Sequence, residues 1–262
     1  MTSKRPTACY AAPMIERTDD GPVTTLRLAH GKASALDLEL LEAIPPALED
    51  AQASGARALV LTGTGSIFSA GVDLKRLVEG GHERVEVRVA ALARAFEALF
   101  FLPLPVVGAA NGHAIAGGCV LLESCDLRLA AAGRGRIGVP ELAVGVPFPL
   151  LALEIVRFAA APHRVQEILF SGAVYTPEES LERGLVDAVV DADSLEETAT
   201  ARAHALAAFP AEAFAFNKAQ LRRPVRAALD AHGADDTRRV QELWASPPVR
   251  EAVEAYVTRQ LR

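Results

Sequence analysis

No stretch of this chain stays apolar for the roughly 18 residues that a membrane-crossing helix needs, although half of its residues are hydrophobic. The first residues lack the charged, apolar and small-residue succession of a secretory signal. Cysteine is scarce. Cys9, Cys119 and Cys125 form neither a metal-ligand spacing nor an even set for disulfides, so they read as reduced core residues of a cytoplasmic protein. Excess basic charge is lacking too: the net charge of −6 gives no reason to expect nucleic acid, while leaving room for a local basic patch that holds phosphate. No fixed-period repeat and no low-complexity linker divides the 262 residues, which fit one large domain or one domain with an appendage.

What is present is an alternation of short apolar runs and helical stripes. Residues 1 to about 12 read as a loose leader. Val23 to Leu28 predicts a strand, Leu38 to Ala53 a helix that Pro45-Pro46 kinks, and Arg57 to Thr62 a buried strand. Apolar residues at 85, 89, 92, 96 and 99 predict a helix over 84–101, stopped by Leu102-Pro103-Leu104-Pro105. Val106 to Ala110 and Leu127 to Ala131 read as further strands. This pattern implies an α/β fold with helices packed on a stacked, mostly parallel sheet. Thr176-Pro177-Glu178-Glu179 is a capping box with proline at the first helical position. Leu185 to Val190 follows as a strand, and Ser194 to Phe209, Ala211 to Arg222 and Pro248 to Gln260 as helices that serve either as core or as oligomer contacts.

Two small-residue turns stand out. Phe68-Ser69-Ala70-Gly71-Val72-Asp73-Leu74-Lys75 follows one strand. Asn111-Gly112-His113-Ala114-Ile115-Ala116-Gly117-Gly118-Cys119-Val120 follows another and runs into a buried helix. Small residues let backbone approach a ligand or another backbone closely. A helix opening on such a turn aims free N–H groups at one spot, which suits a phosphate or an oxyanion. A plain strand-to-helix turn accounts for the glycines equally well.

Together, in order and correctly spaced, the two turns resemble the two signatures of the crotonase (enoyl-CoA hydratase/isomerase) superfamily. Ala35-Leu36 is similar to the end of that family's early Asn-Ala-Leu element, and Ser171-Gly172 with Ala188-Val189-Val190 to its later helix and strand. The resemblance covers roughly residues 20 to 225. It implies a crotonase-like spiral of ββα units over 13–200 and a helical C-terminal region over 201–262 that mediates trimerisation, as a homotrimer or dimer of trimers. It further implies an acyl-CoA thioester substrate, CoA being part of that substrate and not a separate cofactor, with no metal, nucleic acid or membrane partner. The backbone N–H groups of Val72 and Gly117 match the family's oxyanion hole. Ala33, Ala35, Ala70, Asp73, Leu74, Lys75, Gly118 and Val120 match its substrate and CoA contacts.

One departure redirects the chemistry. Hydratases of the family clamp a water between two glutamates. The second matches Glu141, but the first falls on Val120, and the resemblance implies a loop between the two positions one residue longer than in typical hydratases. Monofunctional 3,2-enoyl-CoA isomerases of the family carry an apolar residue at the first position. A single carboxylate can move a proton from C2 to C4 of an enoyl chain. The apolar segment Ala143-Val144-Gly145-Val146-Pro147-Phe148-Pro149 is expected to line the pocket and to raise the Glu141 pKa by desolvation. The resemblance therefore points to an enoyl-CoA isomerase. A single-glutamate hydratase and a non-catalytic acyl-CoA-binding protein remain alternatives. Glu123 reaches the pocket rim or makes a polar contact elsewhere. His113 is a base or packs in the turn. Asp126 fixes a strand end. Lys218 and Arg222-Arg223 meet CoA phosphates or lie on a solvated helix face.

Overall fold

A computed structural model describes residues 13–72 and 81–260. The chain begins with the hairpin β1 (Ile15–Asp20) and β2 (Val23–Leu28), then α1 (Leu38–Ala53). Three successive units follow, each sending one strand into a first sheet and the next into a second. They are β3 (Ala58–Thr62), β4 (Ile67–Ser69) and α2 (Gly81–Phe100); β5 (Val106–Ala110), β6 (His113–Ile115) and α3 (Gly117–Glu123); β7 (Leu127–Ala131), β8 (Ile137–Gly138) and α4 (Glu141–Val144). Helices α5 (Leu150–Ala159) and α6 (Val165–Ser171), strand β9 (Val174–Tyr175), helix α7 (Pro177–Glu182) and strand β10 (Ala188–Val190) complete the spiral. Helices α8 (Leu195–Ala207), α9 (Ala211–Trp244) and α10 (Pro247–Gln260) end it.

The larger sheet has the order β1-β2-β3-β5-β7-β10, and the smaller β4-β6-β8-β9. Every pairing is parallel except β1 with β2 and β8 with β9. A parallel sheet needs cover on both faces, which is why β3 and β5 read as continuous apolar runs. Alternation splits them. Ala58, Val60, Val107 and Ala109 face a core with Leu195, Ala199 and Ala203 of α8. Leu59, Leu61, Val106 and Ala110 join the larger core with α1, α2 and α3. Helix α8 thus straddles residue 200 and packs on the sheet. The repeat that sequence periodicity does not reveal is structural: it lies in the alternation between sheets.

Most expected elements are found where the pattern put them, including the capping box of α7, whose Thr176 side chain accepts from Glu179 N–H while Glu179 accepts from Thr176 N–H. Cys119 and Cys125 are buried free thiols; Cys9 lies outside the described residues. Three expectations need correction. The strand expected over 185–190 spans only Ala188–Val190, because Leu185 N–H is taken by Ser180 O in the turn after α7. The helix expected to end at Arg222 runs on to Trp244 through Pro224. Lys218 and Arg222 do not lie on a solvated face, as Arg223 does; they are buried, and both bond Asp126, Lys218 at 2.6 Å and Arg222 at 2.8 Å. Asp126 also accepts from Val106 N–H at 2.8 Å, so it fixes the start of β5 as expected and anchors α9 to it. No helix among the described residues is long and apolar enough to cross a membrane.

Candidate active site

The site is built where the ends of β4 and β6 meet. Asp37 caps α1 by accepting from Leu40 N–H at 3.0 Å, which holds the preceding segment beside β4. That segment is stitched to the first turn. Ala70 N–H donates to Ala33 O at 3.0 Å, Leu36 N–H to Gly71 O at 2.8 Å, and the Ser69 hydroxyl to Ser34 O at 2.7 Å. Ala33 and Ala35 therefore act through backbone, Ala35 by a bridge to Gly71. Gly71 has φ +76°, and a Cβ there would run into Ile115 O and lie 2.9 Å from Ala116 Cβ. Only glycine lets the two turns touch.

The second turn is strained. Ala116 has φ 51° and ψ −126°, with its N–H donated to Gly138 O at 2.8 Å. A non-glycine residue held in such a region costs on the order of 1–3 kcal/mol, which surrounding structure must offset. The strain delivers Gly117 as the first residue of α3, where a helix N–H has no partner within the helix. No described residue accepts from the N–H of Val72 or of Gly117. The turns approach closely: a Cβ built on Gly117 would lie 3.8 Å from Val72 Cγ2, and one built on Gly71 3.1 Å from Gly117 N. The two small-residue turns therefore meet, and neither of these N–H groups is taken up by a described residue.

These turns open onto an apolar cavity of about 170 Å³. Ala70, Val72, Ala116 and Gly117 line one part, Val120 and Glu141 another, and Val144, Val146 and Pro149 a third. Glu141 is the one carboxylate among the described lining residues. It opens α4, is 8% exposed, and its Oε2 is buried with no hydrogen-bond partner. Burial pushes its carboxyl up from the usual range to about 8, opposed only weakly by its own backbone N–H. The apolar segment after Glu141 lines the cavity as expected and is the physical cause of that shift.

The remaining candidates separate. Val120 lines the cavity and is fully buried. Gly118 does not line it: a Cβ there would press on Ser69, so this glycine serves the contact between α3 and β4. Asp73, Leu74 and Lys75 lie outside the described residues. His113 is exposed on β6 and does not reach the cavity. Glu123 is not at the rim. It turns away from the cavity, and Arg128 donates to it at 2.7 Å and bridges onward to Asp187. It borders a larger hollow of about 400 Å³ with Asp126, Lys218 and Arg222. Sequence reasoning missed Trp244 and Tyr256, which line the cavity from α9 and α10, and Leu92 and Phe96 from α2. The buried stripe of α2 carried a signal for the latter two; nothing local marked the former.

Two paired turns, with Val72 and Gly117 N–H groups that no described residue takes up, adjoin an apolar cavity in which Glu141 is the one carboxyl among the described lining residues. The chain belongs to the enoyl-CoA hydratase/isomerase family, whose model matches residues 20–261. It is 33% identical over 180 residues to a putative enoyl-CoA hydratase of Thermus thermophilus, covering 67% of this chain and 70% of that protein. Its fold is similar to human mitochondrial delta3-delta2-enoyl-CoA isomerase, with TM-score 0.90, 24% identity, and coverage of 95% of this chain and 98% of that one. A Mycobacterium tuberculosis enoyl-CoA isomerase superimposes with TM-score 0.78 at 30% identity, over 86% of this chain and 98% of its own. These relatives include both hydratases and isomerases.

Proposed function

We propose that this enzyme shifts the double bond of a 3-enoyl-CoA to give the 2-enoyl-CoA, with Glu141 as its one acid–base group. The observation that carries the reading is the pairing within one cavity of the one carboxyl among its described lining residues with Val120, where a second carboxylate would be needed to hold a water. The ionised Glu141 takes a proton from C2. The electron pair moves into the carbonyl, and the negative charge on the thioester oxygen is met by the N–H groups of Val72 and Gly117. Each such donor is worth about 3 kcal/mol of barrier. The carboxylic acid then returns its proton to C4, and the double bond closes between C2 and C3. A carboxyl titrating near 8 suits both halves, because an acid–base group is most effective with a pKa near the working pH. The C-terminal helices serve in self-association, as a homotrimer or dimer of trimers, and the enzyme works in the cytoplasm without a cofactor beyond the CoA of its substrate.

The test is incubation with a 3-enoyl-CoA and, separately, a 2-enoyl-CoA in deuterated water, followed by mass spectrometry. Conversion of the 3-enoyl thioester with hydration at least tenfold slower supports isomerisation. Faster hydration supports the single-glutamate hydratase. Binding of thioesters with neither reaction supports a non-catalytic acyl-CoA-binding protein.

A further inference from the structure

The last two helices of the chain form one wall of the cavity that holds Glu141. Trp244, the final residue of α9, is 6% exposed and lines the cavity, and Tyr256 of α10 lines it as well. The Trp244 indole N–H donates to Pro147 O at 2.9 Å. Pro147 belongs to the segment that leaves α4, so the indole is tied to the same loop that surrounds Glu141. Pro149 and Ala152 at the start of α5 line the adjoining wall. A buried aromatic ring fixed by its own hydrogen bond is a wall: interiors are close-packed and give little.

The space inside that wall is small. The cavity measures about 170 Å³, and an apolar cavity of about 150 Å³ takes one benzene. An acyl chain whose thioester oxygen reaches Val72 and Gly117 and which runs toward Trp244 therefore has room for about six carbons before it meets the indole. We propose that Trp244 sets the length of the acyl group, so that the site takes CoA thioesters of about four to six carbons and rejects those of ten or more. The proposal rests on the acyl-CoA reading above and adds the class of acyl chain to it. A longer chain would have to displace the indole and strip its N–H of Pro147 O. A polar group left buried without its partner is costly, which turns a size limit into a discrimination of at least tenfold.

Calorimetric binding of saturated thioesters reads this without any reaction. Butyryl-CoA and hexanoyl-CoA are expected to bind at least tenfold more tightly than decanoyl-CoA or hexadecanoyl-CoA. In an open channel the order would be reversed, because each added methylene buries more apolar surface. Trp244→Ala is expected to tighten decanoyl-CoA at least tenfold relative to butyryl-CoA, while Trp244→Phe, which keeps a wall, retains the short-chain preference. Circular dichroism checks that the variants fold; if Trp244→Ala does not, the wild-type length series and Trp244→Phe decide. Decanoyl-CoA bound by the wild type as tightly as hexanoyl-CoA overturns the proposal, as does a folded Trp244→Ala with an unchanged ratio. Binding of no thioester at any length is a different pattern: it removes the acyl-CoA reading itself and the length limit with it.

Discussion

The indole N–H of Trp244 donates to the carbonyl oxygen of Pro147 at 2.9 Å, across 97 residues of sequence. That bond joins the end of the longest helix to the loop leaving Glu141. The cavity is therefore a product of both ends of the fold: the early turns line one part, the middle supplies the carboxyl, and the last helices supply a further wall. A carboxyl with one oxygen buried and unpartnered keeps its raised pKa only while it stays out of water.

Glu141→Gln is expected to lower isomerisation at least a hundredfold, since positioned proton transfer contributes roughly that much or more. Thioester binding should persist, because the amide keeps the shape and the donors of Val72 and Gly117 are untouched. Turnover of a 3-enoyl thioester, measured beside calorimetric binding of a saturated one, separates the two effects. A variant that still turns over at the wild-type rate would remove Glu141 from the chemistry.

The same carboxyl governs pH dependence. Its pKa in the fold is about 8 against an ordinary 4.5, with burial as the cause. Only the ionised form can accept a proton, so kcat/KM at low substrate should rise with pH and level off above about 8. Stability should move the other way. A carboxyl that holds its proton more tightly when folded contributes stability below 4.5 that is lost as pH rises to about 8. Burial raises Glu123 in the same direction. Melting temperatures of the wild type should therefore fall across this window, and Glu141→Gln should fall less. Parallel melting curves for the two proteins would contradict the assignment.

Much of this arrangement was legible before any coordinates. The strands Val23–Leu28, Val106–Ala110 and Leu127–Ala131 and the helix Leu38–Ala53 agree with the pattern residue for residue, because burial on both faces or on one stripe writes itself into hydrophobic order. Both turns were marked by their small residues after strands, and Glu141 and Val120 by the family resemblance those turns carry. The strands β4, β6, β8 and β9 were not read as strands, since two or three residues carry too little pattern and exist through pairing with one another. Trp244 and Tyr256 were illegible for another reason: which face of a distant helix meets a cavity is decided by tertiary packing. Lys218 and Arg222 misled because charged residues are ordinarily exposed, and only the fold reveals the Asp126 carboxylate that pairs with both.

That three-residue cluster yields a stability prediction. Asp126→Asn would leave the ammonium of Lys218 and the guanidinium of Arg222 buried together without a counter-charge. Breaking such a pair from one side costs about 3–5 kcal/mol. Chemical denaturation should show a loss of that order, together with release of α9 from β5. A loss under about 1 kcal/mol would mean that Leu104 O, which accepts from Lys218 at 2.8 Å, and Phe100 O, which accepts from Arg222, suffice to hold the charges.

The two turns differ in their tolerance of a methyl group. At Gly117 a Cβ would meet the flexible end of Leu36 at 2.9 Å, so Gly117→Ala should fold and keep its N–H in place. At Gly71 the obstacle is the backbone oxygen of Ile115 and the φ of +76° disfavours any side chain. Gly71→Ala should push the turns apart and cost about a hundredfold in rate, as for losing one oxyanion donor. Equal rates for the two variants would show that the contact between the turns does not set the donor geometry.

Val120→Glu tests whether the valine decides between isomerisation and hydration. Val120 is fully buried and shares the cavity with Glu141. A glutamate there would give the cavity two carboxyls, and like charges so placed share one proton at neutral pH. One is then ionised to activate a water while the other, protonated, delivers the proton to C2 of a 2-enoyl thioester. Hydration of a short 2-enoyl-CoA should rise at least tenfold over the wild type, which needs only about 1.4 kcal/mol of barrier. The fold should weaken by about 1–3 kcal/mol for the polar group placed in an apolar site. Val120→Gln, with similar bulk and no acid, should weaken the fold similarly and gain no hydration. If the folded glutamate variant still isomerises and adds no water, then the apolar wall formed by Val144, Val146 and Trp244 excludes water by itself, and Val120 is not the determinant.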